Sequence, residues 1–287
     1  MDARGVLVTG GTGAFGNAFV RWLLKGATRP ERIVVYSRGE FRQFQMSQEL
    51  GAHDKHERLR FFIGDVRDRD RLRRAFSGID IVVHAAALKR IEVGHYNPIE
   101  MVKTNIDGAV NVIEAAQDAG VQKVVFLSSD KAFEPVSPYG LSKAMAESLF
   151  LAANNTTGQN GAKFAVCRYG NVWNSTGSVV PVWKTQIKAG YGKVNVTDPE
   201  CTRFFMHMDE AVDLVKDTIS LMRGGETAIP VLPAYRLGDL AEAMGAKMDI
   251  KGLPAYEKKH ESMGPGNSSD LARRMSVEEL KKALEGT

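Results

Sequence analysis

The sequence predicts an α/β fold, a doubly wound parallel sheet followed by a smaller and irregular C-terminal portion. Three observations carry this reading. Short apolar runs rich in β-branched residues alternate with helix-length stretches as far as about residue 170. A glycine cluster at residues 9–16 stands between the first apolar run and the first helix. Beyond Asn171 the alternation breaks down, and Gly and Pro become frequent.

Taken in order, strands are expected at 6–9, 33–36, 59–63, 81–83, 124–127 and 164–166. Helices are expected at 14–26, 40–50, 68–76, 98–119 (as one long helix) and 138–154. The strand runs are apolar on both faces, which fits a parallel sheet covered on both sides by helices. Two further helices are expected at 209–222 and 277–284. The chain thus divides into a nucleotide-binding domain at 1–170 and a substrate-binding portion at 171–287, the latter contributing elements back to the former.

Composition narrows the function class. Of 287 residues, 44% are hydrophobic and 25% charged, which is ordinary for a globular protein and argues against disorder. The net charge of +4 and pI of 9.0 are mildly basic; they suit an anionic small molecule and lack the footprint of a nucleic-acid binder. Arg67–Arg74 (RDRDRLRR) alternates acids and bases on an expected helix, so it reads as a solvated face laced with ion pairs. Cys167 and Cys201 are the only cysteines; no disulfide framework or zinc cluster is expected. No basic-then-apolar leader and no long apolar span stand out, so the expectation is a cytoplasmic protein with no membrane or nucleic-acid partner.

The glycine cluster carries the first chemistry. Gly10, Gly13 and Gly16 recur every third residue, with Thr12, Ala14 and Phe15 between them. A strand that ends in such a turn and opens a helix brings backbone N–H groups to a pyrophosphate, the Rossmann-type dinucleotide site. An NAD site of this kind has an acid about 20 residues on, at the end of the second strand. Here that point reads Tyr36-Ser37-Arg38. An arginine pairs with a 2′-phosphate that an acid would repel, so Arg38, with Ser37 and Arg42, favours NADP over NAD. Asp65 and Val66 follow the third strand, where a carboxylate can accept from an adenine amino group. Ala85, Ala86 and Ala87 follow the fourth, where small residues let backbone pass close to a cofactor; His84 before them reads as structural.

Tyr139 and Lys143 form a YxxxK pair on one helix face. An ammonium beside a phenol favours the phenolate, which suits a base near neutral pH. The pattern alone is cheap, but its place is not: it opens the helix after the fifth strand, and that strand ends in Ser128-Ser129. Ser129, Tyr139 and Lys143 make a plausible hydride-transfer triad. Asp130 and Lys131 follow at once, where α/β sheets place their chemistry. An acid beside an amine exceeds what alcohol oxidation needs and suggests an elimination; a salt-bridged loop pair is the alternative.

With these residues in place, the chain resembles the extended short-chain dehydrogenase/reductases. Within them it is similar to the inverting UDP-N-acetylglucosamine 4,6-dehydratases of bacterial surface-sugar pathways. The matching segments are TGGTGAFG at 9–16, SRGEFRQFQM at 37–46, GDVRD at 64–68 and HAAALKRIEVGHYNPIEMVKTNIDGAVNV at 84–112. SSDKAFEPVSPYGLSKA at 128–144, RYGNVWNSTGSVVP at 168–181 and TRFFMHMDEAV at 202–212 complete the set. Retaining members carry Asp-Glu where this chain has Asp130-Lys131, so the resemblance implies inversion at C5. Members commonly have Thr where Ser129 stands, which keeps the hydroxyl, and those with Met for the tyrosine are set apart by Tyr139. The C-terminal portion is shorter than in many relatives.

The resemblance implies an order of events. Tyr139 takes the C4 hydroxyl proton, assisted by Lys143, with Ser129 holding the hydroxyl. Lys131, neutral in a desolvated pocket, removes the C5 proton, and Asp130 protonates the departing C6 hydroxyl. NADP would be regenerated within the cycle. For the UDP-sugar, Asn171 and Arg203 are the diphosphate candidates, and Val179 is carried over from the same pattern. Lys89 and Asn105 line the pocket or serve the fold; His207 and Glu261 receive no role. A homo-oligomer, dimer or hexamer, is implied as well. The competing readings are a nucleotide-sugar 4-epimerase, which has no use for Asp130-Lys131, and a non-catalytic NADP-binding sensor.

Overall fold

The computed structural model describes residues 3–25, 30–54, 57–158, 161–175, 177–190 and 192–286. The first half alternates strand and helix: β1 (Gly5–Thr9), α1 (Ala14–Lys25), β2 (Arg32–Ser37), α2 (Glu40–Gly51), β3 (Leu59–Ile63), α3 (Arg69–Phe76) and β4 (Ile81–His84). Then come α4 (Ile91–Tyr96), α5 (Pro98–Val102), a π-helical turn at Lys103–Asp107, α6 (Gly108–Ala119), β5 (Lys123–Leu127), a 3₁₀ turn at Asp130–Ala132, α7 (Pro138–Ala153) and β6 (Lys163–Cys167). The expected end of the first helix at Gly26 lies outside the described residues.

The strands form a seven-stranded sheet in the order β3-β2-β1-β4-β5-β6-β9, where β9 is Thr227–Ala228 and every pairing is parallel. Strand order reverses between β1 and β4, and in such sheets the crevice beyond the carboxyl ends at that point is the ligand position. Alternate residues of each strand feed separate cores. Val6 and Val8 of β1 face one, with Phe19 and Leu23 of α1; Leu7 faces the other, with Val112 and Phe150. Each buried side chain of this size contributes about 2 kcal/mol, so a slip of register by one residue is strongly disfavoured.

The expected single helix over 98–119 is interrupted by the π-helical turn. Asn105 sits on that turn and bonds both the N–H and the C=O of Leu88, at 2.8 and 2.9 Å, and the Ser142 hydroxyl at 2.9 Å. Gly108 follows because a Cβ there would lie 2.7 Å from Val66 Cγ2. An apolar pattern does not register one inserted residue, so the interruption was invisible to it. The charged run behaves as a solvated face, but its ion pairs reach across to α6. Arg69 meets Glu114 at 2.9 Å and Arg73 meets Asp118 at 2.7 Å.

The remaining elements are α8 (Val179–Lys188), β7 (Lys193–Val196), β8 (Thr202–Phe204), α9 (Met208–Leu221), β10 (Ala234–Arg236), α10 (Leu237–Ala243), β11 (Lys247–Ile250), β12 (Ser262–Gly264), β13 (Asn267–Ser268) and α11 (Val277–Glu285). After residue 171 the chain packs back against the sheet. Helix α9 buries Ala211, Val212, Val215 and Ile219 in the core that holds Phe19 and Leu23, and β9 extends the sheet beside β6. What stays outside has its own core of Trp173, Trp183, Phe205, Tyr235, Leu240 and Leu280. Among the described residues no helix is long and apolar enough to cross a membrane, and no His/Cys/Asp/Glu group could hold a metal ion.

One arginine, paired with a buried glutamate, ties α7 to the C-terminal portion. Arg168, just past β6, donates from Nε to Glu147 of α7 at 2.9 Å, and its Nη1 donates to the Met263 carbonyl of β12 at 2.8 Å. Removing one partner of a buried pair strands the other, so Arg168→Ala should destabilise the protein by about 3 kcal/mol, read from urea unfolding. Arg168→Lys, which keeps the charge but loses the two-pronged contact, should recover only part of that loss.

Candidate active site

The site is built where β5 runs into α7. Ser129 caps the turn at Asp130–Ala132, its hydroxyl accepting from the Lys131 N–H at 3.3 Å. Ser137 caps α7, accepting from the Gly140 N–H at 3.1 Å, and Pro138 takes the first helical position, where its missing N–H costs nothing. Gly140 lets the two meet: a Cβ there would lie 2.3 Å from the Lys131 carbonyl oxygen. The first turn of α7 therefore rests directly on the Asp130–Ala132 turn, bringing Tyr139 to Ser129.

Tyr139 is almost fully buried. Burial pushes its phenol above the ordinary value, while a hydrogen bond with Ser129 and the charge of Lys131 pull it down. Ser129 Oγ also donates to Asp130 Oδ1 at 2.9 Å. Lys143 lies beneath, donating from Nζ to the Leu127 carbonyl at 2.5 Å and standing 3.9 Å from the Phe126 ring centroid. Burial pushes its ammonium down to about 7, against the opposing pull of Glu147. The charges that act most on the phenol belong to Lys131, Asp130 and Glu261, whereas Lys143 had been expected to lead.

Asp130 is fully buried, and its Oδ2 has no hydrogen-bond partner. Burial raises its carboxyl above the usual range, with Lys131 opposing, which suits a proton donor. The expectation of a neutral Lys131 is corrected. Its Nζ lies 3.1 Å from Asp130 Oδ1 and 3.1 Å from Glu261 Oε1. Burial does disfavour the ammonium, but two carboxylates outweigh it and hold the lysine above its ordinary value. Lys131 is thus an ammonium that must hand on a proton before it can act as a base.

Glu261 is the residue that sequence reasoning left unassigned. It is 1% exposed and faces Lys131, Lys258 at 3.2 Å and Arg203 at 4.0 Å. Burial pushes its carboxyl up, but the three cations outweigh that and hold it at about 2. No motif marks it, because it arrives from a strand end 130 residues beyond Lys131. A small cavity opens beside it, lined by Lys131, Val136, Ser137, Tyr256, Glu257 and Lys258.

The glycine turn is shaped as a cradle. Gly10 has φ of +65°, and a Cβ on it would stand 2.8 Å from the Ala86 nitrogen. A Cβ on Gly16 would stand 2.5 Å from the Gly11 Cα, so α1 starts hard against β1. Only glycine permits both approaches. Gly13, with Thr12, Ala14 and Phe15, lies at the exposed opening of α1. His84 is structural: it pairs with Thr9 Oγ1 at 2.6 Å, lies against the stacked rings of Phe126 and Phe150, and is pushed down to about 3 by burial. Ala85, Ala86 and Ala87 follow it, half-buried.

Arg38 is exposed at the end of β2, 3.9 Å from Asp65 Oδ2, and Arg42 is exposed one turn on. Ser37 is buried and accepts from Gln43 at 3.0 Å. Burial pushes the Asp65 carboxyl up, but hydrogen bonds from Arg67 outweigh it and hold it below its usual range. Val66 is buried against Gly108. These residues fit a dinucleotide, with the glycine turn for its pyrophosphate and the β2 and β3 ends for its adenosine.

The substrate candidates are less uniform. Arg203 is buried and committed to the Glu257 carboxylate and the Lys259 carbonyl. Asn171 is half-buried beyond β6, Val179 opens α8, and Lys89 is exposed in the loop after β4. Asn105 bonds backbone and Ser142 as described, which is a structural role.

Fold and site together define an extended short-chain dehydrogenase/reductase: a glycine turn at the sheet's switch point with Ser129, Tyr139 and Lys143 at the end of β5. The chain belongs to the family described as polysaccharide biosynthesis protein, which matches residues 6–280. It is 43% identical over 272 residues, 94% of this chain and 80% of the relative, to a UDP-N-acetylglucosamine 4,6-dehydratase (inverting) of Campylobacter jejuni. It is 38% identical over 276 residues, 93% of this chain and 79% of the relative, to a UDP-glucose 4-epimerase of Rickettsia akari. Among solved structures, Pen from Bacillus thuringiensis superposes with a TM-score of 0.92 at 35% identity, covering 99% of this chain and 97% of that one.

The depressed Lys143 has a consequence for stability. Between about pH 7 and its ordinary 10.5, the unfolded chain holds a proton on Lys143 that the folded chain has released. Stability rises with pH wherever the unfolded state binds more protons. The stability of the protein relative to Lys143→Met should therefore increase across that window, as read from urea midpoints at successive pH values.

Proposed function

We propose that the protein is a nucleotide-sugar 4,6-dehydratase that converts UDP-N-acetylglucosamine to a 4-keto-6-deoxy sugar with inversion at C5. The observation that carries this is the Asp130-Lys131 turn packed beneath Tyr139, since an epimerase needs Tyr139 and Lys143 but no buried acid and amine beside them. The identity to the Campylobacter relative supports the same reading.

Bound nicotinamide cofactor would accept hydride from C4 and return it to C6. Tyr139 takes the C4 hydroxyl proton, with Ser129 holding that hydroxyl in register. Oxidation at C4 acidifies the C5 proton. Lys131, once its own proton has passed on, removes the C5 proton, and Asp130 in its acid form protonates the C6 hydroxyl as it leaves as water. Lys143, on the same helix face as Tyr139, would help hold the bound cofactor. Asn171 and Arg203 take the diphosphate, for which Arg203 must exchange Glu257 for phosphate oxygens. The cofactor is NADP: Arg38, exposed at the β2 end with Arg42 near it, offers positive charge to a 2′-phosphate.

The test is incubation with UDP-N-acetylglucosamine in D₂O without added reductant. The expected product has lost one water and carries deuterium at C5, and proton NMR shows the inverted configuration. A C4 epimer of unchanged mass overturns the dehydratase reading. Tyr139→Phe should lower the rate by at least about 100-fold with substrate affinity nearly unchanged. Arg38→Ala should weaken NADP roughly fivefold while leaving NAD in place, measured by fluorescence titration.

A further inference from the structure

Lys131 has two carboxylate neighbours, and they are unlike. Asp130 belongs to the same turn, is fully buried, and keeps one oxygen without a partner. Glu261 comes from the C-terminal portion, and its backbone is fixed on both sides. Its N–H donates to Ser269 Oγ at 2.9 Å, and its carbonyl accepts from the Ser269 N–H at 2.8 Å. The chain just before it lies along β8, where the Thr202 N–H donates to the Lys259 carbonyl at 3.0 Å. Lys258 closes the arrangement. Its Nζ sits 3.2 Å from Glu261 Oε2 and donates to the Phe133 carbonyl at 2.9 Å, joining Glu261 to the far end of the catalytic turn.

We propose that Glu261 is a positioning residue for the elimination: anchored by Lys258 and Arg203, it holds the Lys131 ammonium against Asp130, so that the lysine's proton passes to Asp130 and to no other group. The inference rests on the dehydratase reading and assigns to that site a residue from outside its motif. Both carboxylates lie 3.1 Å from Lys131 Nζ, so distance does not choose between them. The surroundings do. Glu261 has two further cations upon it and remains an anion, while Asp130 has burial and a neighbouring anion to favour its acid form. One proton transfer from Nζ to Oδ1 then makes an amine and a carboxylic acid. The amine takes the C5 proton, and the acid gives its proton to the C6 hydroxyl, which leaves as water. No further oxidant, reductant or proton donor enters the step.

The charged and titratable groups around Lys131 are Asp130 on its own turn, Tyr139 of α7, Arg203 of β8, Tyr235 of β10, Glu261, and Glu257 and Lys258 across the small cavity. Of these, Glu261 is the anion paired with Lys131 that the reaction leaves unchanged. Activity requires one proton on the Asp130-Lys131 pair: two leave no base, and none leaves no acid. Taking away the Glu261 charge weakens proton binding by Lys131 and by Asp130 alike. Both limbs of the pH profile must then move to lower pH, by about one unit for an adjacent buried charge.

The experiment is the single-turnover rate of water loss from UDP-N-acetylglucosamine against pH, for the wild type, Glu261→Gln and Glu261→Asp. Both limbs moved acidward in Glu261→Gln, and restored to the wild-type position in Glu261→Asp, is the expected result. A Glu261→Gln profile that falls in height without moving overturns the proposal, since a packing role would do only that. If Glu261→Gln does not fold, Lys258→Met, which removes a cation from the same cluster, must move both limbs the opposite way, to higher pH; an unmoved profile there overturns it equally. A wild type that eliminates no water is a failure of the dehydratase reading, and it is visible before any variant is made.

Discussion

The contact on which the site depends is the approach of α7 to the turn after β5. Gly140 and the Lys131 carbonyl leave no room for a side chain between them. That contact sets Tyr139 over Ser129 and fixes the spacing between Tyr139 and the Asp130-Lys131 pair, which come from different elements. The caps on either side serve the same end. Ser137 starts the helix where it can reach the turn, and Ser129 closes the turn where the helix needs it. The sheet below supplies rigidity: β5 is flanked by β4 and β6 and buried on both faces, so the end of the strand has little freedom to shift.

The electrostatics follow from burial. Lys143, with a carbonyl and an aromatic ring as its nearest partners, is pushed toward the neutral form; Lys131, with two carboxylates, is pushed toward the charged one. Two lysines of one site, both removed from water, titrate in opposite directions because of what stands next to them. The same contrast separates Asp130 from Glu261. Residue type therefore says less about proton chemistry here than the count of opposite charges within a few ångströms.

Much of this was legible in the sequence, for identifiable reasons. Most strands of the first half are built on short apolar runs, and the glycines at 10 and 16 are forced by backbone contacts that no other residue allows. Tyr139, Lys143, Ser129, Asp130 and Lys131 lie within fifteen consecutive residues, so one turn and one helix start place them all. What was not legible depends on distant pairs. Glu261 and Lys258 reach the turn through Ser269 and Thr202, partners that local periodicity cannot reveal. The π-helical turn at Lys103–Asp107 hides inside an amphipathic pattern, and the short strands of the C-terminal portion are two to four residues long, too short to show alternation.

The return of the chain through α9 and β9 bears on how the molecule can be divided. The outermost strand of the sheet and a helix beneath it are delivered by sequence that lies beyond the first segment of the C-terminal portion. A fragment ending near residue 170 would lack them, leaving the β6 edge open and the apolar face of α1 bare to solvent. Such a surface invites pairing with other chains. During synthesis, the seven-stranded sheet therefore cannot be completed until residue 228 has left the ribosome.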